Sequence, residues 1–209
     1  MLIFHYIHFF YPWNSYYNPE LKLDSTQLPF FFMLELIYEY GRYGVQMFWA
    51  ISGFVFAHVY LDQLNKISSK DFLINRFARL YPLHWLTLFI IAGLQILSFK
   101  MSGNFEIYQG NDLYHFILNF FYIHAWGLAT DGSFNGPTWS VSIELIIYFI
   151  FFISISFLNR FKIKFVVIIY LIFLLIDKYW EIKTFYITAF FDSFRLFFLN
   201  FLIYYLYSK

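Results

Sequence analysis

The 209-residue sequence contains no cysteine, which excludes disulfides, thiolate metal sites and cysteine nucleophiles. Charge is scarce as well. Only 13% of residues are Asp, Glu, Lys or Arg, about half the share of an ordinary soluble domain. The net charge of +1 provides no polyanion-binding tail, so nucleic acid is not an expected partner. The N-terminus MLIFHYIHFFYPW is apolar but has no basic n-region and no small-residue cleavage site, so it does not read as a signal peptide. No internal repeat and no low-complexity segment interrupts the chain.

What fills the sequence instead is apolar. The hydrophobic fraction is 61%, more than a soluble fold of this size can hide, and the class is therefore integral membrane protein. The 32 Phe and 19 Tyr are taken as part of that composition, not as a binding signal. A spanning helix needs about 20 apolar residues. Candidate spans are 43–61, 80–99, 113–129, 139–158, 165–180 and 187–207. Residues 1–13 are too short to span and read as the remnant of an earlier helix. The expected fold is all-α: a polytopic membrane bundle of about six spanning helices, with residues 1–209 as a single membrane domain.

The linker 62–79 carries Lys66, Lys70, Arg76 and Arg79 and is placed in the cytoplasm by the positive-inside rule. A conflict follows downstream. If 113–129 and 139–158 both cross, the cations of Arg160–Lys164 lie outside. Either 113–129 is re-entrant or the bias at 62–79 overrides it.

Polar groups within apolar runs are costly and are the first functional candidates. His5 and His8, three residues apart, occupy neighbouring helical positions. Such a pair suits a general base, two ligands of a metal, or two interfacial histidines. In GVQMFWAISGFVFAHVY, Ala50, Gly53 and Ala57 form one small-residue face suited to close helix packing, with Gln46 one turn further back. In FLINRFARLYPLHWLTL, Arg76 and Arg79 share a helical face; two planar cations there suit phosphate binding, although positive-inside bias explains them equally. Pro82 fits the first turn of the helix that follows. In FNGPTWSVSIELIIY, Thr138 is an expected N-cap, and Ser140, Glu144 and Tyr148 form one polar stripe. A carboxylate in that position must be protonated or partnered. Asp192 and Arg195 read as a mutually neutralising pair, and His84, His115, Asn119 and His124 as satisfied or boundary residues.

The last three quoted segments, in this order and spacing, resemble the acyltransferase 3 family of membrane O-acyltransferases, over roughly residues 1–160. The resemblance implies acyl transfer from acyl-CoA, acetyl-CoA in the first instance, to a hydroxyl of a cell-surface or other extracytoplasmic glycan. No bound cofactor and no metal are implied, and the expected location is a bacterial cytoplasmic membrane. His5 best fits the family's catalytic histidine, with His8 the alternative. Arg76 and Arg79 match its donor-binding arginines, and Trp139, Ser140 and Glu144 its aromatic-Ser-x-x-x-Glu pattern. Gln46 stands where many members carry an acid, and is assigned to substrate binding. The family's arginine eleven residues before the histidine would precede Met1, and the family has more helices than this chain, so a member shortened at both ends is expected. The competing classes are a polytopic transporter, with Glu144 and Asp192/Arg195 along its pathway, and a non-catalytic remnant.

Overall fold

A computed structural model describes residues 4–5, 25–61, 68–129, 132–161, 163–179 and 184–209. His8 lies outside them. The described residues form helices joined by turns and loops, with no strand among them. The helices are α1 (Phe31–Tyr40), α2 (Tyr43–Tyr60), α3 (Ser69–Ser102), α4 (Leu113–Phe120), α5 (Trp139–Phe161), α6 (Ile163–Tyr179) and α7 (Phe185–Tyr207).

The chain divides into two compact units, Met1–Phe48 and Trp49–Lys209, the boundary falling within α2. In the first unit, Leu28, Phe31 and Tyr38 form a small core, and the Tyr38 hydroxyl donates to the Pro29 carbonyl at 3.2 Å. Phe4 and His5 are helical, and Phe4 lies so close to Gly41 that a Cβ there would strike it. The end of the first apolar piece is thus seated at the α1–α2 junction.

The second unit is built on aromatic packing. Phe56 of α2, Phe151 of α5 and Phe194, Phe197, Phe198 and Phe201 of α7 are each at most 2% exposed and form one cluster. In this cluster interlocked phenylalanine rings fill the space between helices, often edge to face.

Among the described residues, three helical segments are long and apolar enough to cross a membrane: Lys70–Ser102, Gly136–Ile153 and Phe185–Tyr207. The expectation of about six spans is not met among the described residues. The segment 113–129 fails for a clear reason: α4 stops at Phe120, and the chain then turns back through residues 121–129. Tyr122 adopts φ 61°, a left-handed conformation incompatible with a continuing helix. The short α2 and α6 are not among the three.

This correction removes the charge conflict. With 113–129 not crossing, antiparallel α3 and α5 bring the C-terminal end of α5, where Arg160 lies, to the same end as Arg76 and Arg79, as the positive-inside rule expects. The contacts agree with antiparallel helices. The guanidinium of Arg76, early in α3, lies over the ring of Tyr148, late in the stripe. His84, further along α3, stacks on Tyr122, whose carbonyl is held by Ser142, near the start of α5.

Helix α3 also begins earlier than expected. It is one 34-residue helix capped by Ser68, about 50 Å long at 1.5 Å per residue. Pro82 therefore sits inside it, not in its first turn. The helix is longer than a hydrocarbon core of about 30 Å, so its cationic end, with Arg76 and Arg79, can extend beyond that core.

Asp112 caps α4, accepting the His115 amide at 2.8 Å, and its carboxylate also bonds His115 Nδ1 at 2.7 Å. These bonds hold its pKa below the usual aspartate value. A lowered folded pKa gives stability that is complete above the unfolded value and is lost as pH falls through the folded one. The protection of the His115 amide, measured against its intrinsic exchange rate at each pH, is therefore expected to fall on acidification only below the ordinary aspartate range. An Asp112→Ala variant should show the reduced protection already at neutral pH.

Candidate functional site

The stripe predicted on α5 forms, with one change of member. Glu144 is 1% exposed, and one oxygen accepts from the Tyr148 hydroxyl one turn on, at 2.5 Å. The same oxygen accepts from Ser52 of α2, also at 2.5 Å. Ser140 does not reach it; its hydroxyl turns back to the Pro137 carbonyl at 3.5 Å, while its own carbonyl accepts the indole N–H of Trp49 at 3.4 Å. Trp139 packs edge-on against Trp49 and Phe185, with ring centroids 5.9 and 4.8 Å away. The two motif residues before Glu144 therefore fix the start of α5 to α2 and α7. Ser52 was missed by sequence reasoning. Its one signal is its place beside Gly53, on the face where α2 comes closest to its neighbours.

The other Glu144 oxygen is buried with no hydrogen-bond partner among the described residues. Arg76 and Arg79 lie within electrostatic reach of the carboxyl but behave differently. Arg76 is half-buried. Its guanidinium sits 4.5 Å from the Phe56 ring centroid and 4.9 Å from that of Tyr148, and it donates to the Tyr60 hydroxyl at 3.0 Å. Its Nε is buried without a hydrogen-bond partner among the described residues. Arg79 is exposed. One arginine is thus held between aromatic faces next to the Glu144–Tyr148 bond, and the other projects from the helix.

His5 and Gln46 are both half-buried and both belong to the first unit.

A second polar cluster lies further along α3, built from residues the sequence marked as unremarkable. His84, His115, Asn119 and His124 are each at most 7% exposed. His84 stacks on Tyr122 with centroids 3.7 Å apart, and its Nε2 lies 2.7 Å from the Asn119 carbonyl oxygen. Asn119 donates from its amide nitrogen to the His115 carbonyl and to Ser133. His124 Nε2 faces the Thr138 hydroxyl at 3.4 Å, and the two imidazole centroids of His84 and His124 are 6.4 Å apart. Thr138 is not the cap of α5: it closes a 3-10 turn, Gly136–Thr138, that runs directly into the helix, and its proton goes to the Asn135 carbonyl at 2.7 Å. Ser142 pins the returning chain by donating to the Tyr122 carbonyl and accepting the Ala125 amide. Burial, with the neighbouring His84, pushes the pKa of His124 down to about 3, so its ring is neutral.

Asp192 and Arg195 bond each other at 2.6 Å, as expected of a neutralising pair. They are thereby satisfied without a transported substrate. Among the described residues no group of three or more His, Cys, Asp or Glu side chains is arranged to hold a metal ion.

Comparison with known proteins decides the family. The family model described as an acyltransferase domain (acyltransferase 3) matches residues 1–208. The chain belongs to this acyltransferase family. It is 33% identical over 116 residues to acyltransferase MdmB of Streptomyces mycarofaciens, covering 53% of this chain and 27% of that protein. It is 43% identical over 61 residues to protein 2 in the picA locus of Rhizobium radiobacter, covering 28% of this chain and 32% of that protein. The chain thus spans about a quarter to a third of the length of these curated relatives. No solved structure matches it. Family membership and the three apolar helices together make this an integral membrane protein of acyltransferase type.

Proposed function

We propose that this member of the acyltransferase family transfers an acyl group, acetyl in the first instance, from acyl-CoA to a hydroxyl of an extracytoplasmic glycan. The observation that carries this reading is the Glu144–Tyr148–Arg76 arrangement. A buried carboxylate, fixed by two hydroxyls and with one oxygen still unsatisfied, adjoins two arginines at the cationic end of α3. That end takes the anionic donor. Arg79, exposed, meets the phosphates of acyl-CoA, and Arg76, packed against Phe56 and Tyr148, links the donor site to Glu144.

The chemistry is acyl substitution. The acceptor oxygen attacks the thioester carbonyl carbon as its proton passes to a base, for which His5 is the assigned group by its match to the family motif. The tetrahedral oxyanion collapses, the C–S bond breaks, and the CoA thiolate leaves with the proton from the imidazolium. Glu144 positions donor or acceptor through its free oxygen. Gln46 serves as a polar contact to substrate. The neutralised Asp192–Arg195 pair removes one of the two features behind a transport reading. The location that follows is a bacterial cytoplasmic membrane.

The arginines supply a test that separates binding from structure. Arg79→Ala is expected to raise the KM for acyl-CoA about tenfold or more, the loss of one charge-assisted contact, with the thermal midpoint unchanged. Arg76→Lys should lower the midpoint, because an ammonium cannot replace a planar cation stacked on aromatic faces. Equal KM in Arg79→Ala and wild type would remove Arg79 from the donor site. Unchanged acyl-CoA turnover in His5→Ala would remove the assigned base.

A further inference from the structure

The buried cluster along α3 has a consistent chemical imbalance. The Asn119 carbonyl can only accept, so His84 Nε2 carries its ring's proton and His84 Nδ1 is a bare lone pair. Thr138 gives its proton to Asn135, so it presents only lone pairs to His124 Nε2. That nitrogen is therefore protonated, and His124 Nδ1 is bare too. The amide nitrogen of Asn119 is turned towards the His115 carbonyl, so the Asn119 oxygen faces the other way. His84 Nδ1, His124 Nδ1 and Asn119 Oδ1 are all buried without a hydrogen-bond partner among the described residues.

Every one of them is an acceptor. An unpaired buried polar atom is costly, and three acceptors on neighbouring residues call for a ligand rich in donors. Because His124 stays neutral, its lone pair is not lost to protonation at physiological pH. The cluster lies on the far side of Glu144 from Arg76, towards the extracytoplasmic end of α3 and α5 by the charge argument above.

We propose that His84, His124 and Asn119 form a subsite for a polyhydroxyl ligand, binding non-reacting hydroxyls of the acceptor through their free acceptor atoms. The identity of this ligand as the acyl acceptor rests on the acyltransferase reading; the binding chemistry does not.

The test uses the full chain, labelled with 15N-histidine, in lipid nanodiscs at neutral pH. His84→Gln and His124→Gln assign the ring signals. The expected result is that both Nδ1 atoms resonate as unprotonated and that methyl α-D-glucopyranoside, used as the hydroxyl probe, moves them saturably. Tetrahydropyran, which has the ring but no hydroxyls, should not. A protonated Nδ1 on either ring, no response up to the solubility limit of the glycoside, or a response to zinc alone would each overturn the proposal. In a transfer assay with the same glycoside and acetyl-CoA, His124→Phe should raise the glycoside KM about tenfold or more while leaving the acetyl-CoA KM in place. His124→Gln, which keeps an acceptor oxygen, should recover part of the loss. Saturable glycoside binding in a wild-type protein with no acetyl-CoA turnover would keep the subsite and remove the acyltransferase reading. Turnover without a histidine response would do the reverse.

Discussion

Glu144→Ala is expected to lose acyl transfer to below detection and to lower stability by about 3 kcal/mol or more. Three losses add. The Tyr148 hydroxyl, on a side chain 5% exposed, is left without its acceptor, and Ser52 loses the same partner. An orphaned buried hydroxyl costs about 1–3 kcal/mol. Removing a side chain that is 1% exposed also leaves a void between α2 and α5. Arg76, held over Phe56 and Tyr148, finally loses the nearby carboxyl that balances it. Glu144→Gln separates these effects. Its amide oxygen still accepts from Ser52 and Tyr148, so the thermal midpoint should stay much nearer to wild type. Its amide nitrogen, however, replaces the free carboxylate oxygen, so turnover should still fall by about a hundredfold, the scale of one lost charge-assisted contact. A Glu144→Ala protein with an unshifted midpoint would show that the Ser52 and Tyr148 bonds contribute nothing. A fully active Glu144→Gln would remove the carboxylate from the mechanism.

The polar stripe was legible because it lies within one helix, where a spacing of four residues dictates proximity. Tyr148 to Glu144 follows from that alone. Ser52 was not legible, because its contact with Glu144 joins residues 92 apart and no local period encodes it. The histidine cluster was hidden for a related reason. His84 and His124 each read as a satisfied or boundary residue, in segments 40 residues apart. They meet only because α4 ends at Phe120 and the chain folds back through Tyr122. Hydropathy misread that return: 113–129 is apolar enough to suggest a crossing, but its polar atoms, His115, Asn119 and His124, are turned into a buried network. The charge rule held half of the correction in advance. Cations at 160–164 disfavoured a crossing at 113–129 but left open that the bias at 62–79 overrides them, and the end of α4 at Phe120 favours the first alternative. The small-residue face of α2 was legible in kind, as a packing seam, but not in its partner.

That partner makes the second large prediction. A Cβ placed on Gly53 would collide with the backbone carbonyl and Cα of Phe197 in α7. The obstacle is backbone, so no side-chain rotation relieves it, and the two helices would have to separate. Separation would loosen the stacked core on both sides, where Phe56 and Phe197 lie with centroids 5.2 Å apart and Phe197 and Phe198 are each 1% exposed. Close approach through small residues is a principal means by which membrane helices associate, since lipid tails offer no hydrophobic gain for their contact. In an ordinary helix, Gly→Ala stabilises by about 1 kcal/mol. Here the sign should reverse: Gly53→Ala is expected to destabilise by about 1–3 kcal/mol, the usual cost of overpacking. Gly53→Leu is expected to prevent accumulation of folded protein. Thermal unfolding in detergent, with yield of monodisperse protein as a second measure, reads both. Ala57, 0% exposed one turn further on, is the internal comparison. Ala57→Gly removes a methyl group from the same face without forcing the helices apart, so it should cost only a cavity and a propensity term, about 1–2 kcal/mol, and should leave the yield intact. A stabilised Gly53→Ala would mean that α2 and α7 are free to part, and with them the platform that carries Ser52 to Glu144.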